Sequence, residues 1–523
     1  MANKTLFATL AGKLIPATDT VNHEFAPAYA MTPRQKLAQY VMTGCLNRTF
    51  YATEGAQLKT VLELSWQADA EFVAKLAVYA RKRGHMKDMP ALLCSVLSFM
   101  DGSLLRKVFP KVIDNGKMLR TFVQIMRSGV VGRKSLGSLP KDLILKWLEA
   151  VPDAGLLEAA TGNDPSLADI VKMVHPKPST ASREAFYGYL LGKKHDAGVL
   201  PDAVRAYEAF KQGGTRVIPK VPFQWLTSLE LGSEGWTEVA RNAGWQMTRM
   251  NLNTFERHGV FKDRGMVRLI ADRLRDPEAI AKARVFPYQL MSAYRMVDEK
   301  FPEMIREALQ DAMELALMNI PDFDGQVYVC PDVSGSMASP VTGNRKGSTT
   351  SVRCIDVAAL MAAAVLRKNK NAVVVPFAED VRKVRLNPRD SVLTNAKTLA
   401  SIGGGGTNCS APLAKLNKDK AMGDLVIFIS DNESWVDARG AATGAGGRGT
   451  QTMVQWNLFK ARNPGAKLVC IDIQPAGTTQ AKEREDILNV GGFSDQVFNV
   501  VSEFAKGRLE GNLWVEMIHK EDI

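Results

Sequence analysis

Cysteine is scarce in this chain: six among 523 residues, at positions 45, 94, 330, 354, 409 and 470. No two stand within four positions of each other, so there is no CxxC pair to grip zinc and no disulfide framework. Reduced thiols are expected, several in apolar runs such as Val329-Cys330 and Val469-Cys470-Ile471. Histidine is as sparse, and none of its six copies forms an HExxH zinc motif. GxxxxGK[ST] is missing, which argues against nucleotide hydrolysis by a P-loop, and so is the G-x-S-x-G elbow of acyl-transfer enzymes. The chain does not start with a basic segment leading into an apolar run, so no signal peptide is expected. No stretch reaches 18 uninterrupted apolar residues, so nothing should span a membrane. A soluble cytoplasmic protein without membrane contact is the expectation.

What remains has an ordinary globular composition, 46% apolar and 23% charged, which excludes disordered, collagen-like and coiled-coil chains. Its length suits two to four domains. The net charge of +12 invites a polyanion. That charge is concentrated. Residues 81–147 hold 14 basic and 4 acidic residues, net +10, leaving +2 for the rest of the chain.

The pattern changes near Pro321. From Thr32 to Met318 apolar residues recur at three and four spacing, broken by Gly and Pro. Leu58–Leu64, Ala70–Arg81, Leu143–Leu148, Val267–Leu274 and Met304–Leu317 read as helices. Short connections suggest helical pairs stacked as in an α-solenoid, although no fixed period is visible. After Pro321, strands at Val327–Cys330, Ala372–Phe377, Leu425–Ser430 and Lys467–Ile473 alternate with helices at Ile355–Arg367 and Met453–Arg462. This alternation predicts a parallel, doubly wound α/β sheet with its ligand at the carboxyl ends of the strands. The domains are therefore expected at 1–322 and 323–523. Gly403–Gly406 and Arg439–Gly449 read as loops.

A candidate metal site lies in the second part. Asp332, Ser334 and Ser336 alternate just past a strand and offer oxygen to a hard cation such as magnesium. Thr407 follows four glycines that let backbone approach closely, and Asp431 ends the strand Leu425–Ser430. Helix-capping hydroxyls are the competing explanation for the serines alone. Together these residues resemble the metal-ion-dependent adhesion site of von Willebrand factor A domains, over roughly residues 325–523. The resemblance implies Asp332, Ser334, Ser336, Thr407 and Asp431 as direct or water-mediated ligands. Pro331 stands where such domains have an apolar residue.

Candidate polyanion contacts lie in the first part. Lys117–Ser128 reads as a helix with Met118, Leu119, Phe122, Val123 and Met126 on one face. Lys117, Arg120, Gln124 and Arg127 share the other, and Gly129 suits the C-terminal cap. Such a stripe can track phosphates, or it can be a solvated helix face. Arg81, Lys82, Arg83, Lys87, Arg133 and Lys134 stand nearby in sequence and favour the first reading. Ser166 with Asp169 marks another helix start. Lys172 and His175 sit one turn apart on its flank, before Pro176-Lys177-Pro178. His175 could be a local cap; with Lys172 it could hold phosphate or stack on a base.

The order of these pieces resembles the Ro autoantigen family, a TROVE domain of HEAT-like helical repeats followed by a von Willebrand factor A domain. Leu37–Tyr51 (LAQYVMTGCLNRTFY), Ala80–Leu92, Asp169–Pro178 (DIVKMVHPKP), Trp236–Asn253 around Met247–Asn251, Phe286-Pro287-Tyr288 and Asp332–Met337 (DVSGSM) carry the resemblance, in order, over about residues 30–523. It implies a monomer whose helical repeats close into a ring. It implies small noncoding Y RNA on the outer surface and single-stranded 3′ ends of misfolded RNA threaded through the hole. Bacterial relatives work with exoribonucleases such as polynucleotide phosphorylase or accompany RNA-repair enzymes. Lys172 and His175 fall where the family contacts RNA, with Lys177 just beyond. The family's basic run just upstream is missing here, since Glu158–Asp164 (EAATGND) has no cation, so the grip could shift to Lys117–Lys134. No catalytic residues are expected. A metal-dependent protein-binding module, with RNA incidental, is the alternative. A nuclease would need more clustered carboxylates than Asp332 and Asp431.

Overall fold

The computed structural model describes residues 15–44, 46–49, 51–132, 134–215, 217–283, 285, 287–316, 320–343, 352–435, 449–493, 496–507 and 513–523. Arg133 and nearly all of the expected loop Arg439–Gly449 lie outside them. The chain forms two compact units. One holds residues 69–283, 296–309 and 521–523; the other holds 1–68, 284–295 and 310–520. The α/β unit thus gathers more of the chain than its C-terminal part. Among the described residues, no helix is long and apolar enough to cross a membrane.

The α/β unit starts with a hairpin, β1 (Thr20–Val21) and β2 (Pro27–Ala30), and helix α1 (Pro33–Thr43). A full capping box starts α1. Thr32 accepts from the Gln35 amide, and the Gln35 side chain accepts in return.

In the other unit every regular element among the described residues is a helix. They include α2 (Ala70–Lys82), α3 (Asp88–Met100), α4 (Gly102–Val112), α5 (Gly116–Ser128) and α6 (Leu167–Val174). The side chains of Asp69, Asp101 and Asn115 cap α2, α4 and α5. Helix α5 has the expected faces. Met118, Leu119, Phe122, Val123 and Met126 are all fully buried, and Phe122 meets Phe109 edge-on at 5.2 Å. Gly129 closes the helix at φ +88°, in the left-handed region that glycine adopts without strain.

After residue 320 a five-stranded parallel sheet forms from β3 (Val327–Pro331), β4 (Ala372–Val374), β5 (Leu425–Ser430), β6 (Lys467–Asp472) and a later strand. A short β7 (Thr478–Thr479) intervenes, and β8 (Ile487–Gly491) completes the sheet in the order β4-β3-β5-β6-β8. Registers such as Val329↔Ile427 and Ile427↔Val469 align the carboxyl ends of β3, β5 and β6. All six residues of β5 are buried, as a sheet covered on both faces requires. Helices α7 (Cys354–Lys368) and α8 (Gln451–Arg462) supply crossovers, and Trp456, Phe459 and Phe428 fill one side of the core. Strand Ala372–Phe377 ends earlier than expected, at Val374; Phe377 makes an isolated bridge to Asp332. Separately, β7 pairs antiparallel with β2, joining Thr479 to Tyr29.

Candidate functional site

Asp332 follows β3 and is fully buried. One carboxylate oxygen accepts the Ser334 amide at 2.8 Å, and the other accepts the Ser430 hydroxyl at 2.6 Å. The Ser334 and Ser336 hydroxyls lie 3.2 Å apart. Asp431 follows β5, directly after Ser430, and is also buried. Burial and the Asp332 carboxyl push Asp431 up to about 8, and burial raises Asp332 as well. Thr407 is buried, and its carbonyl accepts from the Trp435 amide at 3.0 Å and the Ser434 hydroxyl at 3.4 Å. The glycine loop before it is stitched to the serine loop: Gly404 N–H donates to Val333, and Gly335 N–H donates to Gly405. A Cβ on Gly406 would stand 2.3 Å from the Trp435 indole nitrogen, so a larger residue there would have to push that ring aside.

The structure thus brings Asp332, Ser334, Ser336 and Asp431 together at the carboxyl ends of two adjacent strands. It sets the Thr407 backbone against the loop after Asp431. These donors are all oxygen, and two of them belong to buried carboxyls that disfavour each other's ionisation, a cost that a bound cation would relieve. That chemistry fits a hard divalent cation.

Two further buried acids were not legible in the sequence as part of this place. Glu433 lies two residues past Asp431, and Asp472 ends β6. Burial, followed by the charges of Glu433 and Asp431, raises Asp472 well above an ordinary carboxylate. Its position at a strand end, like that of Asp431, was the available signal. Glu433 meets His23 of the N-terminal hairpin, with Nδ1 2.8 Å from one oxygen and the backbone N–H 3.0 Å from the other.

On the helical unit the candidate cations divide by what they touch. Lys117, Arg127, Lys134, Lys172, His175 and Lys177 are exposed. A groove of about 580 Å³ between α5 and α6 is lined by Gln124, Arg127, Asp164, Asp169, Lys172 and Met173, among others. It unites Arg127 and Lys172, which stand 45 residues apart in sequence. His175 is the left-handed C-cap of α6 at φ +51° and is not among the lining residues. Arg81 is engaged elsewhere: its guanidinium holds Asp114 through two bonds of 3.0 and 2.7 Å. Arg120 is half-buried and donates to the Ala159 carbonyl at 2.8 Å, beside Gly162. Arg83 faces Glu521 at 3.5 Å, while Lys82 is exposed. Burial, Lys117 and Arg81 push Lys87 down, so these cations crowd one another.

With this geometry in view, comparisons with known proteins become informative. Residues 326–505 match the family described as the Ro60 vWA domain. The RNA-binding protein RO60 of Deinococcus radiodurans is 24% identical, over 92% of this chain and 94% of its own. The protein of the same name from Caenorhabditis elegans is 21% identical over 46% of this chain and 37% of its own. The crystal structure of the Deinococcus radiodurans RO (RSR) protein superposes with a TM-score of 0.61 at 21% identity, covering 91% of this chain and all of that one. The helical region followed by a parallel α/β domain is therefore the Ro architecture, and residues 326–505 match the Ro60 von Willebrand factor A domain within a chain that is similar to Ro proteins over nine-tenths of its length.

Proposed function

We propose that this chain is an RNA-binding protein that acts by binding rather than by catalysis. The groove between α5 and α6 carries the reading, since it sets the exposed Arg127 and Lys172 on one surface. Two separated cations can hold successive phosphates, and the mixed lining leaves room for a base. The printed names of the relatives support RNA as the polyanion. In finer detail, the ligand is a small, structured, Y-like noncoding RNA. Single-stranded 3′ ends of misfolded RNA bind as well, in decay or repair alongside an exoribonuclease such as polynucleotide phosphorylase or a repair enzyme. The protein works as a cytoplasmic monomer.

Asp332, Ser334, Ser336, Thr407 and Asp431 would hold a divalent cation, with magnesium the expected ion. A cation bound largely by neutral hydroxyls keeps affinity for one more carboxylate, which a protein partner can supply. That supports a second reading, a metal-dependent protein-interaction module, which the buried carboxyl pair favours.

Sequencing RNA that copurifies with the protein, with crosslinks mapped, tests the lead reading. Crosslinks on α5 and α6 are expected; their absence from both helices would refute the assignment. In the second reading Asp332→Ala abolishes a protein complex while RNA affinity is unchanged. RNA incubated with the protein and magnesium should stay intact.

A further inference from the structure

The N-terminal hairpin is tied to the loop that follows Asp431. Asn22, buried between β1 and β2, donates its side-chain N–H to the Ser434 carbonyl at 2.6 Å. Its amide oxygen accepts from the backbone of Glu24 and Ala26 at 3.0 and 2.9 Å, which fixes the shape of the turn. His23 makes its two contacts with Glu433 from 410 residues away in the chain. Tyr51 stacks on His23 with ring centroids 5.3 Å apart, and its hydroxyl donates to Glu24 at 3.3 Å. Ser434 and Trp435, the next residues of the clamped loop, hold the Thr407 carbonyl. A continuous path of contacts thus runs from the hairpin through residues 433–435 to Thr407.

We propose that Asn22 and His23 are positioning residues of the metal centre: the hairpin clamps the loop after Asp431 so that Thr407 and Asp431 are held for the cation. This rests on the reading of Asp332, Ser334, Ser336, Thr407 and Asp431 as a cation site. Groups that orient ligands from outside the coordination sphere govern affinity strongly, because a mis-set ligand costs the ion part of its shell. The α/β region is then incomplete as a cation site without residues 20–30.

Manganese titration of the full chain, followed by electron paramagnetic resonance and calorimetry, tests this. Asn22→Ala and His23→Ala should each weaken Mn²⁺ binding about tenfold. His23→Gln keeps a donor for Glu433 and should restore most of the affinity. Asn22→Ser carries the same test if Asn22→Ala does not fold. A tie that merely stabilises the fold would lower the melting temperature of metal-free protein and leave Mn²⁺ affinity within about twofold of wild type; that result overturns the proposal. Wild-type chain that binds no Mn²⁺, like an Asp332→Ala control, overturns the cation reading and the proposal with it. Wild-type binding with unaltered Asn22→Ala and His23→Ala affinities overturns the proposal alone.

Discussion

Arg127→Gln with Lys172→Gln separates a phosphate-tracking surface from a solvated helix face. Both side chains are exposed and line one groove, so each is counted as one phosphate contact. Each lost contact lowers the slope of log affinity against log salt by about 0.9, so the double variant should lose about 1.8 from the wild-type slope. From 50 to 200 mM salt the gap between wild type and variant should then shrink roughly tenfold. Fluorescence anisotropy with a labelled hairpin RNA carrying a single-stranded tail reads this directly. Arg81→Gln is the internal control. Its charge counts equally in the sequence, yet its guanidinium is committed to Asp114, so its salt slope should match wild type. Parallel salt lines for wild type and the double variant would refute the reasoning, as would an equal change for Arg81→Gln.

Further outcomes follow from buried groups. Asp431→Asn removes one of two facing carboxyls, so in EDTA it should stabilise the α/β unit, by up to about 3 kcal/mol, and abolish stabilisation by magnesium in a thermal melt. Burial alone would raise Asp356, but Arg295 and Arg353, each holding it through two side-chain bonds, bring it down to about 2. Its folded value is depressed, so the stability is present above the ordinary 3.8 and is lost as pH falls towards about 2. Asp356→Asn should cost roughly 2–3 kcal/mol at pH 7 and much less near the bottom of that window, measured by denaturant unfolding. Phe122→Ala, which empties a fully buried site against Phe109, should cost about 3–5 kcal/mol and lower the melting temperature of the helical unit.

Periodicity carried most of the fold. Helix Gly116–Ser128 and strand Leu425–Ser430 were legible because one is strongly two-faced and the other is uniformly apolar. Strand β8 was not, since Ile487–Gly491 is short and contains the polar Asn489. Hairpin strands β1 and β2 have two and four residues, too few for any period to register. For the metal centre, strand-terminal position made Asp332 and Asp431 visible, and the glycines pointed to Thr407. His23 could not be found that way, because its contact with Glu433 spans 410 residues. Charge counting located the basic region but could not say which cations were already engaged. Arg81 and Arg120 look as available as Arg127 until Asp114 and the Ala159 carbonyl are placed beside them. The stretch Glu158–Asp164, notable for its missing cations, is where the Arg120 side chain docks.

The pairing of Tyr29 with Thr479 also sets a timetable. Strand β2 leaves the ribosome about 450 residues before its partner β7. At the usual pace of synthesis that is roughly half a minute to a minute and a half. Residues 69–283 have all emerged by then and can collapse on their own local helical contacts. Strand β2 can pair with β1 at once, but its other edge must meanwhile wait for β7, an edge that other nascent strands could capture. Newly made protein should therefore need chaperone protection at its N-terminal hairpin longer than anywhere in the helical unit. Moving residues 20–30 to the other end of the chain by circular permutation would shorten that exposure.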